Sequence, residues 1–72
     1  MTKARTAWYV AELDPKHRNH LKNTKDMAER MSEAERNKAR AYINGYLTAL
    51  ETAGIISPLQ RRALLTYYTI NL

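Results

Sequence analysis

Residues 32–60 read SEAERNKARAYINGYLTALETAGIISPLQ, and the punctuation of this stretch decides the fold. Ser32 followed by Glu35 is the pattern of a capping box. In it the serine hydroxyl accepts from an early helix N–H while the glutamate reaches back to the cap. Glu33 and Glu35 also put negative charge in the first turn, where the helix dipole favours it. Ala39, Ile43, Tyr46, Leu50 and Ala53 then recur in steps of four and three, which is one face of a helix. Gly54 stands where a left-handed residue ends a helix, with Ile55 placed to fold back toward Leu50. These signals predict a helix over 33–53, about 32 Å long.

A second start follows at once. Ser57 suits an N-cap, Pro58 the first helical position, and Gln60 completes another box-like pattern. Leu59, Ala63, Tyr67 and Ile70 form one stripe, with Leu64 and Tyr68 beside it. Residues 64–72 are rich in β-branched and aromatic side chains and also admit a strand reading. The cap and the short connection favour a helix over 58–70, antiparallel to the first. The pair departs from a helix-turn-helix in three ways. Its connection carries an extra apolar residue, Ile56; its first helix is long; and Gln60 falls where a buried apolar residue would hold the two helices together.

Upstream the signals thin out. Asp14-Pro15 opens a helix whose face takes in His17, Leu21, Thr24, Ala28 and Met31, a weakly apolar stripe that needs docking to form. Ala7 to Leu13 reads as a further short helix rather than an extended arm. The fold class is therefore all-α in a single domain, with a less regular region over 1–31 and a helical hairpin over 32–72.

A chain of 72 residues buries only about 60% of its unfolded surface. It has no cysteine, so neither a disulfide nor a thiolate metal site staples it. Small chains without staples often self-associate. The expectation is a homodimer in which two hairpins bury Ile43, Tyr46, Leu50, Leu59, Ala63 and Tyr67 in a four-helix arrangement, with Trp8 and Tyr9 as further interface residues. No apolar run spans a bilayer, and no signal peptide precedes Glu12, so a cytoplasmic protein is expected.

Chemistry is sparse. Both serines serve as caps, and the carboxylates fall in first turns or beside lysines, so no catalytic set and no cofactor are expected. His17 and His20 lie three apart but lack the third ligand a metal site needs. The formal charge is +5, and it is unevenly placed. Residues 15–40 carry eight basic against four acidic side chains, whereas 1–14 balance. Lys16, Arg18, Lys22 and Lys25, with Arg36 and Arg40 on the following helix, form the candidate anion-binding set. Aromatics and arginine are enriched at binding hot spots. Two functions follow: a stoichiometric regulator or inhibitor that binds a protein partner with an acidic surface, or a nucleic-acid-binding accessory protein that uses the basic face.

Overall fold

The computed structural model describes residues 3–72. Four helices occupy them: α1 (Lys3–Glu12), α2 (Pro15–Ala28), α3 (Glu33–Thr52) and α4 (Pro58–Thr69). The protein is all-α; no strand occurs among the described residues. None of the helices is long and apolar enough to cross a membrane.

The ends follow from local chemistry. Asp14 accepts from the Lys16 N–H at 2.9 Å and Pro15 opens α2. Ser57 and Gln60 form a complete capping box, with the Gln60 N–H donating to the serine hydroxyl at 3.1 Å and the Ser57 N–H to the glutamine carbonyl at 2.8 Å. At Ser32 only half the expected box exists. Its hydroxyl receives the Glu35 N–H at 3.4 Å, but the Glu35 carboxylate turns to Lys38 at 3.5 Å. Helix α3 stops in a Schellman motif. The Ile55 N–H reaches the Leu50 carbonyl, the Gly54 N–H reaches Glu51, each at 2.9 Å, and Gly54 takes φ 77°.

Helix α4 is the hub: α1, α2 and α3 all pack on it, and α2 also packs on α3. Leu21 of α2, Ile43 and Leu47 of α3 and Leu64 of α4 are fully buried at the centre. Tyr9 and Leu13 close the core from the α1 side, and Ile56 plugs it from the turn. The radius of gyration is 11.7 Å, against about 11 Å for an ordinary compact chain of this length. Its accessible surface of 4814 Å² is within about 5% of that of a folded monomer of this size.

Two expectations about packing need correction. The four-helix arrangement is completed inside one chain, because α1 and α2 supply the helices that a second hairpin was expected to bring. Tyr9, Ile43, Leu50 and Ala63 are accordingly enclosed by their own chain and are withdrawn from any intermolecular surface. The second correction concerns register. The expected stripe of α4 was Leu59, Ala63, Tyr67 and Ile70, yet the buried residues are Ala63, Leu64 and Tyr68. Leu59, Tyr67 and Ile70 remain 43%, 44% and 69% exposed. Helix α4 is apolar on two adjoining flanks. Its three neighbours meet the Leu64–Tyr68 flank and leave the other uncovered.

Candidate functional site

The uncovered flank of α4 faces the uncovered flank of α1, and between them runs a groove of about 830 Å³. From α1 it takes Lys3, Thr6, Ala7 and Val10, and the spacing of three, four and seven marks one helix face. From α4 it takes Arg62, Ala63, Thr66, Tyr67 and Ile70. Lys25 of α2 reaches in from the side. Among the described residues the walls are mainly apolar, three cations stand in them, and no carboxylate lines the groove. A smaller recess of about 220 Å³ adjoins it through the shared residues Val10, Lys25 and Tyr67. That recess adds Arg18 and Lys22, with Asp26 as its single acid.

Lys25 is fixed where it stands. Its ammonium donates to the Tyr67 carbonyl at 3.2 Å and lies 5.6 Å from the centre of the Tyr67 ring, with Glu29 at 4.0 Å. This cation–π contact holds the ring and its positive neighbour together at the middle of the groove. Arg62 is exposed and makes no ion pair among the described residues, whereas the adjacent Arg61 is committed to Glu51. Beneath the groove Tyr68 packs edge-on to Tyr67, with ring centres 5.0 Å apart. Burial first, and then Tyr67, push the Tyr68 phenol up to about 12, while Arg18 opposes the shift.

The candidate basic face does not assemble as one surface. Arg18, Lys22 and Lys25 do gather, but on the groove side of α2. Arg18 donates to the Ala11 carbonyl at 3.4 Å, and Lys22 pairs with Asp26 at 3.3 Å. Lys16 is exposed at the start of the helix. Arg36 and Arg40 are half-buried and extend the core stripe of α3 beyond Ile43; the Arg36 Nε is closed off from solvent and has no hydrogen-bond partner among the described residues. Neither recess draws a residue from α3.

His17 and His20 instead form a seam with α3. The His17 Nδ1 and the Tyr46 hydroxyl are 2.6 Å apart, as are the His20 Nε2 and the Tyr42 hydroxyl. The His20 ring also lies 5.0 Å from that of Tyr46. Burial first, then Tyr42 and Asp14, hold the Tyr46 phenol above its ordinary value. This seam explains why α2 docks despite its weak stripe: two side-chain hydrogen bonds and edge-on or tilted ring contacts supplement Leu21 and Ala28. No cluster of three or more metal-ligating side chains occurs among the described residues.

Of the expected interface residues, Trp8 (58% exposed), Leu59 and Tyr67 remain available, and Tyr46 is held in the seam. Sequence reading missed Lys3, Val10, Arg62 and Ile70 as groove residues. Lys3 and Arg62 lie outside the charge-rich middle segment, and only folding brings them beside Lys25. The 3, 6, 7, 10 spacing was the available signal, hidden because it marks an open flank with few apolar side chains. No protein-family model matches this chain, and no curated protein or solved structure is significantly similar to it.

Proposed function

We propose that this protein is a non-enzymatic regulator that acts by stoichiometric binding to an acidic surface on a protein partner, through the groove between α1 and α4. The observation that carries this reading is the groove's composition: apolar walls and three cations with no lining carboxylate. Tyr67 and Ile70 are exposed hydrophobic anchors of the kind that interfaces bury, worth about 1.5–3 kcal/mol each when fully covered. Lys3, Lys25 and Arg62 give the approach its charge preference and its rate.

Nucleic acid is the weaker reading. A phosphate-tracking face needs cations that are exposed and aligned. Here Lys22 pairs with Asp26, Arg36 is partly enclosed, and α3 lies away from the groove. A homodimer, expected from the thin core, is disfavoured through this groove, because apposing two copies brings like charges together. It would draw instead on exposed apolar residues outside the groove, such as Trp8, Met27, Tyr42, Ile55 or Leu59, and so would survive Arg62→Glu in sedimentation velocity.

Affinity capture from source-cell lysate, with and without nuclease, tests the function when wild type is run beside Arg62→Glu. A protein retained after nuclease and lost with the variant is the expected result. Loss of all bound material on nuclease treatment would overturn the proposal.

A further inference from the structure

We infer that the groove is shaped for an amphipathic α-helix carrying acidic residues on either side of a two-turn apolar stripe. This rests on the reading of the groove as a protein-binding site and adds the conformation of the bound segment.

Length comes first. Lys3 to Val10 on one wall and Arg62 to Ile70 on the other cover seven and eight residue steps, about 10–12 Å of helix. That length matches anchors at positions i, i+3 or i+4, and i+7 of a guest helix, the spacing by which helices are read in grooves.

Backbone chemistry then separates a helix from an extended strand. The groove is walled by helices, whose own backbone groups are bonded internally, and no strand edge exists among the described residues. Its neutral polar groups are the hydroxyls of Thr6, Thr66 and Tyr67, and its cations only donate. An extended guest would lay most of its N–H groups over apolar wall with nothing to accept them. A helical guest satisfies its own backbone and presents only side chains.

Charge chooses the sequence of that helix. Lys3, Lys25 and Arg62 repel a basic segment and a second copy of the groove alike, and favour Asp and Glu beside the stripe. A single-stranded nucleic acid is served less well: Tyr67 is the one aromatic lining the groove, and its ring already carries Lys25.

The test uses the full chain and fluorescence anisotropy with labelled synthetic peptides of four helical turns. One carries leucines at helical stripe spacing among glutamates. A second has the same composition with the leucines permuted off the stripe, and a third replaces glutamate by lysine. Duplex and single-stranded DNA complete the panel, and Lys16→Glu serves as a charge-matched control outside the groove.

The striped acidic peptide should bind and gain helical circular dichroism in the complex. Its affinity should fall about tenfold with Arg62→Glu or Thr66→Glu, both exposed positions, and change less than about twofold with Lys16→Glu. The permuted peptide should bind at least about tenfold more weakly, and the basic one not at all. Equal, Arg62-dependent binding of the striped and permuted acidic peptides would overturn the helical inference while sparing the protein-binding function. Failure of the striped peptide to bind at about 0.5 mM protein would overturn the inference. Preferential Arg62-dependent binding of DNA would overturn both.

Discussion

Two helix pairs in this molecule solve the same packing problem in opposite ways. Between α2 and α3 the flanks are polar and aromatic, and every ring finds a partner: His17 meets Tyr46, and His20 meets Tyr42. Between α1 and α4 the outer flanks mix apolar side chains with hydroxyls and cations, and they stand apart and leave a groove. The difference lies in which flank the core consumes. Leu64 and Tyr68 fill the space at the hub, so Tyr67 and Ile70, one position further round α4, are left outside. The seam ties α2 to α3, while the other flank of α4 stays uncovered with three cations beside it.

Leu21 sits where the two regions share support, fully buried on α2 between the seam and the hub. Leu21→Ala should remove about 2–5 kcal/mol by lost transfer and a residual cavity. That is a large share of the stability of a chain this small, so both seam and groove should be lost together in chemical denaturation. Two separate unfolding transitions, one for the seam and one for the groove, would show that the regions are not coupled through α2 as we hold.

Alkaline titration probes the groove's foundation. The Tyr68 phenol titrates near 12 in the fold, against an ordinary value of 10.0. Between those values the folded chain keeps a proton that the unfolded chain has released, so rising pH favours unfolding. Stability from this group is complete below pH 10 and is lost as pH rises through about 12. Comparison with Tyr68→Phe isolates it, since the variant's stability should fall less steeply over that interval.

Arg62→Glu sharpens the contrast from the other side. It should weaken acidic-peptide binding about tenfold while shifting stability by less than about 0.5 kcal/mol, as expected for an exposed side chain. Tyr46→Phe is its mirror image and the smallest effect. Losing the hydroxyl that meets His17 should cost about 1 kcal/mol in urea unfolding and leave peptide affinity unaltered.

Helices α2, α3 and α4 were legible because their boundaries are local events. Asp14-Pro15, Ser57-Pro58 and Gly54 act within a few residues of themselves, and the structure places each as its chemistry dictates. The start of α1 was less legible, because Lys3 to Thr6 contribute nothing to the core and periodicity detects only a buried face. The choice between two apolar flanks of α4 was not legible at all. Tyr67 and Tyr68 are equally apolar neighbours, and only the docking of three other helices decides which is enclosed. The groove inherits that limit: Lys3, Lys25 and Arg62 are distant in sequence and become one site through the same docking. The His–Tyr seam was half visible, as pairs spaced three and four apart on two successive helices, but adjacency was needed to join them.

The most direct test of the account is residue-resolved NMR of the labelled chain titrated with the striped acidic peptide. Shift changes should concentrate at Ala7, Val10, Thr66, Tyr67 and Ile70, with Tyr42, Tyr46 and their histidine partners unmoved. Changes centred on Lys16, Arg36 and Arg40, or a Tyr67 signal indifferent to saturating peptide, would contradict it.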